Sequence, residues 1–268
     1  MRKFFFLLAL LFGSYSQANC NHQKIDMSKV ELISFNDTDF ITVKDSYLIT
    51  SDKKEYFIKG IAFGNQVWSY VTKAPKFHHT IESYKEIAQM GFNTVRFYIN
   101  YQLFESAYEP GKYKNEGFSW LNKNIEWAKE AGIKLIVNMH VPQGGFQSNG
   151  DGLALFNDRK NQTRLINLWR EIARYYKDCS TIIGWGLVNE PNVPFSTDAK
   201  TSLNKWNVLA NEITNAIRQV DSNHVIFAEC AISIIEMKEG KKTYHSFNQE
   251  DAFPTINDKN VVYEIENL

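Results

Sequence analysis

Apolar β-branched runs alternate with polar loops and amphipathic stretches along most of this chain. Short runs rich in Val, Ile and aromatic residues, the pattern of buried strands, lie at 57–63 (FIKGIAF), 92–98 (FNTVRFY), 133–140 (IKLIVNMH), 182–189 (IIGWGLVN), 224–229 (HVIFAE) and 261–265 (VVYEI). Between them the apolar period lengthens to that of a helix. Phe118, Leu121, Ile125 and Ala128 share one face, Leu165, Leu168, Ile172 and Tyr175 a second, and Leu203, Trp206, Ala210, Ile213 and Ile217 a third. Strand, helix and strand repeated every ~35 to 45 residues predict a parallel sheet covered by helices.

A doubly wound sheet and an eight-stranded barrel both satisfy that grammar. No G-x-G-x-x-G follows an early strand and no Walker sequence occurs, which argues against the first. Polar residues instead mark the C-terminal ends of strands, as Arg96, His140 and Glu190 do, where barrel enzymes keep their chemistry. The expected fold is therefore α/β, a TIM (β/α)8-type barrel. Ahead of its first strand, 40–48 (FITVKDSYL) and 49–58 (ITSDKKEYFI) read as a β-hairpin closing the barrel bottom. The sixth strand starts near Val261 and the sequence stops at Leu268. The expectation is thus an incomplete barrel of about six of eight βα units, with a premature stop or frameshift as its simplest cause.

Composition narrows the class further. Thirty basic side chains balance thirty acidic ones among 268 residues, with no Lys/Arg block, which argues against nucleic acid as a partner. At the N-terminus, Arg2 and Lys3 precede an apolar run over 4–12, and small and polar residues end at Ser16-Gln17-Ala18. This predicts a signal peptide at 1–18 and an exported barrel at 19–268, secreted or periplasmic. The run is too short to span a membrane, and no later stretch approaches ~20 consecutive apolar residues. Lipid attachment at Cys20 is the alternative, but Gln17-Ala18-Asn19 matches such a site poorly. Cys20, Cys179 and Cys230 allow one disulfide with one thiol left over, and their spacing suits no metal. No cofactor is called for, and the oligomeric state is left open.

Strand alternation then assigns directions. If Glu190 faces the barrel mouth, Gly186 and Val188 face inward, and Trp185 and Leu187 face the helices. The same parity turns Thr94 and Arg96 inward on the second strand, and Asn138 and His140 inward on the third. Arg96 paired to a carboxylate and His140 hydrogen-bonded would each be an ordinary buried polar group. Three polar ends at one rim favour a site. Trp68, Tyr101 and Phe146 fall in loops after the first three strands, either as aromatic faces for a ligand or as loop packing.

With GFNTVRF (91–97), NMHVPQGG (138–145) and GLVNEPN (186–192) in that order, the chain resembles glycoside hydrolase family five of clan A, over about residues 45 to 265. That family contains cellulases, mannanases and related retaining endo-β-glycosidases. The resemblance implies Glu190 as the acid/base, Asn189 on the sugar 2-OH, Arg96 orienting an ionised nucleophile, and His140 beside the scissile sugar. It implies a β-linked polysaccharide or oligosaccharide as substrate, with no cofactor. It also places the nucleophile at the end of a seventh strand, which this sequence lacks. Glu229 and Glu266 are the substitutes available, both weak: family members carry a Glu at the first without using it so, and the second stands where the family has His-x-Tyr. A non-catalytic carbohydrate-binding or decayed protein on the same fold is the competing expectation, and another clan A barrel, such as a β-galactosidase or β-glucosidase relative, a third.

Overall fold

The computed structural model describes residues 35–68, 79–147 and 152–265. The expected leader, Cys20 and Glu266 lie outside them.

Strands β1 (Thr42–Lys44) and β2 (Tyr47–Ile49) form an antiparallel hairpin. Its turn is Asp45-Ser46, both in the left-handed region with φ of 49° and 69°. Both strands therefore fall almost wholly inside the segment expected to supply only the first of them. The polar stretch after β2 is a second turn, closed by an Ile49–Glu55 bridge.

The central sheet has six parallel strands: β3 (Gly60–Phe63), β4 (Thr94–Asn100), β5 (Lys134–Val141), β6 (Ile182–Gly186), β8 (Val225–Glu229) and β11 (Val261–Glu264), adjacent in that order. All six match expected runs. Helices α1 (Ile81–Gln89), α3 (Asn115–Glu130), α5 (Arg159–Tyr176) and α6 (Ala199–Arg218) connect the first five, with short helices α2 (Tyr101–Phe104) and α4 (Leu153–Asn157) in the loops after β4 and β5. Asp158 and Asp198 start α5 and α6 by accepting from the backbone N–H of Lys160 and Thr201. Among the described residues β3 and β11 are the two edges of the sheet. Tyr47, Phe57 and Tyr263 stand exposed along an apolar groove between the hairpin, residues 55–58 and β11.

Alternation sorts the core into two clusters. Val95, Phe97, Leu135, Val137, Met139, Trp185 and Ile226 face outward and pack with Phe118, Leu121, Ile125, Leu168, Ile172 and Trp206 of the helices. Ile136, Ile183, Val225 and Phe227 face inward and meet Ile41, with Val43 and Leu48 of the hairpin against them. The hairpin does plug the barrel floor. On β6 one residue is extra: Ile182 pairs with Leu135 but Gly184 with Ile136. Strand β6 runs so close to its neighbours that a Cβ on Gly184 would lie 2.0 Å from the Val225 carbonyl oxygen, and one on Gly186 2.7 Å from Asn138 Nδ2. The strand ends at Gly186, three residues earlier than expected, so parity lapses there and Val188 joins the outer cluster.

Beside the C-terminal rim lies a small sheet of β7 (Asn192–Pro194), β9 (Ser233–Lys238) and β10 (Lys241–His245), with β9 between the other two. No sequence expectation covered it. Cys179 and Cys230 are both buried. One precedes the N-terminal end of β6 and the other follows the C-terminal end of the adjacent β8, so they lie a strand length apart and cannot pair with each other.

Candidate active site

The inward polar residues converge at the C-terminal end of the sheet, and Arg96 is their centre. Its Nη1 donates to Asn189 Oδ1 at 3.0 Å. Its Nη2 donates to Glu229 Oε1 and lies 3.7 Å from Glu264 Oε2. Burial opposes the guanidinium charge, but Glu264 and then Glu229 more than offset it and raise Arg96's pKa, so the cation is firmly held.

Glu190 sits at the turn after β6 with a φ of 46°, in the left-handed region although it is neither Gly nor Asn. The following Pro191 biases its predecessor toward extended backbone, which adds to the strain. Contacts on both sides hold the conformation. The Glu190 backbone N–H donates to Glu229 Oε2 at 2.7 Å, and its carbonyl accepts from Asn192 Nδ2 at 3.1 Å. Asn192 Nδ2 also donates to the Gln147 carbonyl, and Asn192 Oδ1 accepts from Ser233 Oγ. The loop after β5, the Glu190 turn and the rim sheet are thereby tied together. Glu190's side chain is half-buried at this junction.

Glu229 is thus present at the site, but not as a loose carboxylate. One oxygen is on Arg96 and the other on the Glu190 amide, and its side chain is 2% exposed.

His140 lies flat on Tyr98, with ring centroids 3.9 Å apart and planes 12° from parallel. Phe146 and Trp68 stand at tilted angles, 5.6 and 5.9 Å from it. Burial, and then the charge of Arg96, push its pKa down to about 3, so the imidazole is neutral. Trp68 is 55% exposed and presents an apolar face beside His140. Tyr101 is not part of this wall. It packs against the outer core in α2, with the Arg164 guanidinium over its ring.

Two residues of the cluster were missed from sequence, Tyr98 and Glu264. The parity that turned Arg96 inward does the same for Tyr98, and on β11 it separates inward Val262 and Glu264 from outward Val261 and Tyr263. The signal was present and was not applied to these positions.

Several buried polar atoms here have no protein partner: both amide atoms of Asn138, His140 Nδ1, Asn189 Nδ2 and Glu264 Oε2. Unpaired hydrogen-bonding groups crowded into one mouth suit water or a hydroxyl-rich ligand. Among the described residues no group of His, Cys, Asp and Glu is arranged to hold a metal, and no helix is long and apolar enough to cross a membrane.

The sequence profile described as Cellulase (glycosyl hydrolase family 5) matches residues 53–265. Endoglucanase C of Acetivibrio thermocellus is 29% identical over 210 residues, covering 77% of this chain and 56% of its own length. An endoglucanase of Paenibacillus polymyxa is 25% identical over 239 residues, covering 85% and 57%. The chain thus spans a little over half the length of these relatives. Among solved structures, endo-glycoceramidase II from Rhodococcus sp., as its lactosyl-enzyme intermediate, superposes with a TM-score of 0.62 at 18% identity, over 82% of this chain and 59% of that one. That likeness shows the barrel fold alone.

Proposed function

The chain belongs to glycosyl hydrolase family 5, and from that premise we propose that it carries the acid/base half of a retaining endo-β-glycosidase site acting on a β-linked polysaccharide, with Glu190 as the acid/base. The observation that carries the reading is the frame around Glu190. A strained backbone is fixed by Glu229, and Asn189 beside it is fixed by Arg96. Strain of this kind persists where the surroundings over-determine it, and it concentrates at functional sites.

In this proposal Glu190 protonates the glycosidic oxygen as the bond to the anomeric carbon breaks, then takes a proton from the water that releases the sugar. Asn189 Nδ2, left without a partner by the hold on its Oδ1, donates to the 2-OH, a contact that strengthens as positive charge grows on the ring. His140, kept neutral, and Trp68 line the sugar's apolar flank. Retention requires a second carboxylate ~5 to 5.5 Å from the first. Glu229 does not serve, since both its oxygens are engaged. Export through the leader at 1–18 belongs to the same proposal.

One observation favours the rival reading of carbohydrate binding without turnover. Arg96 already has two carboxylates from within the described residues, so its charge is met without a nucleophile. Release of reducing ends from soluble β-1,4-glucan separates the two. The glycosidase reading expects hydrolysis that falls by about two to four orders of magnitude in Glu190→Gln. Turnover that survives the substitution overturns the role of Glu190. Retardation in glucan gels without released ends establishes binding alone.

A further inference from the structure

Glu105 is a buried carboxylate outside the cleft that neither the motifs nor the proposed chemistry uses. It stands at the C-terminal cap of α2 and is 1% exposed. Four N–H groups reach it, about as many as a carboxylate can accept. Oε1 accepts from the Gly111 backbone N–H at 2.7 Å and from Arg164 Nε at 3.2 Å. Oε2 accepts from Gln143 Nε2 at 2.7 Å and lies 3.2 Å from Arg164 Nη2. Arg164, on α5, therefore grips both oxygens and fixes the carboxylate from the helix side. A counter-ion for Arg164 alone would need no more than that. Glu105 also holds Gln143.

Gln143 is fully buried near the start of the loop after β5, and its Oε1 has no partner. Among the described residues its side chain is therefore held by hydrogen bonding through Nε2 alone, to Glu105. The next two residues, Gly144 and Gly145, have φ of 99° and 113°, and such backbone has little stiffness of its own. The bond from the Gly145 N–H to the Pro142 carbonyl is internal to the loop. Gly144 lies against the α4 backbone at Leu155, a van der Waals contact without direction. Direction comes from the two glutamines. Gln143 reaches Glu105, while Gln147 accepts at Oε1 and at its carbonyl from the backbone N–H and Nδ2 of Asn192, whose Nδ2 also donates to the Glu190 carbonyl. Between them stands Phe146, 5.6 Å from the His140 ring. We infer that Glu105 is a positioning residue for this loop: by holding Gln143 it sets where Phe146 and Gln147 stand, and through them the wall beside His140 and the Glu190 turn. The hold on the loop rests on the geometry alone, while its bearing on sugar binding rests on the glycosidase reading.

Three variants of the whole chain test this. Gln143→Met deletes the bond without adding charge and leaves the grip of Arg164 on Glu105 intact. Gln143→Glu sets a second carboxylate against Glu105. Adding Glu105→Gln to it restores a donor facing an acceptor with the roles exchanged, and keeps one carboxylate beside Arg164. The first measurement needs no ligand: amide hydrogen exchange over 143–147, with β4 and β8 as the reference for an intact barrel. Gln143→Met should speed exchange in the loop about tenfold and Gln143→Glu more, while the exchanged pair should return it to within about twofold of wild type. Loop exchange unchanged in Gln143→Met, or an exchanged pair as fast as Gln143→Glu, overturns the inference. The second measurement is calorimetric affinity for cellotetraose. Gln143→Met should weaken binding about three- to tenfold, the worth of one hydrogen bond, and the exchanged pair should restore it. Unchanged affinity in a Gln143→Met protein whose loop is released overturns the link to the cleft. If the exchange results hold but wild type binds no cellotetraose, the glycosidase reading fails and the hold of Glu105 on the loop stands.

Discussion

Acidification should destabilise this protein through His140 in a way that one substitution can isolate. Its ring is sandwiched against Tyr98, its Nδ1 is buried without an acceptor, and Arg96 is close enough to repel a second positive charge. The folded-state pKa is consequently lowered from 6.5 to about 3. The unfolded chain therefore binds a proton at this residue before the folded one does, so the stabilisation is complete above pH 6.5 and is lost as pH falls toward 3. Each unit within that window is worth about 1.4 kcal/mol, so about 3 kcal/mol is gone by pH 4.5 and about 4 kcal/mol by pH 3.

The measurement is urea denaturation of wild type and His140→Gln at intervals from pH 7.5 to 4.5. Absolute stabilities also move with Asp37, Asp221 and Asp258, whose pKa values are lowered and which lose stabilisation in acid as well. Those groups are common to both proteins and cancel in the difference. The stability of wild type relative to the variant should fall by about 3 kcal/mol across this range, nearly all of it below pH 6.5. A difference that stays constant within about 0.5 kcal/mol refutes the argument, as does an NMR titration in which the His140 ring protonates above pH 5.

Other consequences follow from the packing. Gly184→Ala puts a methyl 2.0 Å from the Val225 carbonyl oxygen and should cost about 1 to 3 kcal/mol or more in urea denaturation. Gly60→Ala, whose nearest neighbour is the Ile58 methyl at 3.3 Å, should change stability by less than about 0.5 kcal/mol, and equal effects of the two would refute the close approach of β6 and β8. Asp221 accepts from Trp185 Nε1 at 2.8 Å and sits 2.7 Å from His224 Nδ1, all fully buried at the barrel floor. Asp221→Ala leaves these groups without that partner and should lower stability in urea denaturation by about 3 kcal/mol or more.

Direction was more legible in the sequence than extent. Period-two alternation turned Arg96, Asn138 and His140 inward, and the structure leaves them so, because a strand packed on both faces cannot slip by one residue without exchanging its whole core. Helical faces were legible for the same reason, with one exception. Tyr175 was assigned to the buried stripe of α5, yet Tyr176 and Trp169 are the fully buried ones, and Tyr175 stands half-buried where its hydroxyl meets Asn122. Trp169 at i+4 from Leu165 and Tyr176 at i+4 from Ile172 fit a helical stripe as well as the residues chosen, so periodicity does not discriminate between them. Turns were the least legible. Asp45-Ser46 adopts the left-handed conformation usually announced by Asn-Gly or Asp-Gly, and neither dipeptide marks it in the sequence. Glu239-Gly240 between β9 and β10 is also left-handed at both positions, and was a signal for the rim hairpin that went unread.

The difference between motif and site has the same origin. Asn189-Glu190-Pro191 identifies a turn, but nothing local explains why Glu190 should accept a φ of 46° ahead of a proline. The explanation is long-range. Glu229 is 39 residues away in sequence and supplies the acceptor for the Glu190 amide. Glu229 is held by Arg96 of β4, and Arg96 is also approached by Glu264 of β11, so three strands converge on one backbone conformation. A carboxylate that looks like a spare nucleophile in sequence can therefore be the element that keeps the acid in place. On this argument Glu229→Gln should impair the site by releasing the Glu190 turn as well as Arg96. Removing a true nucleophile, in contrast, would leave both in position.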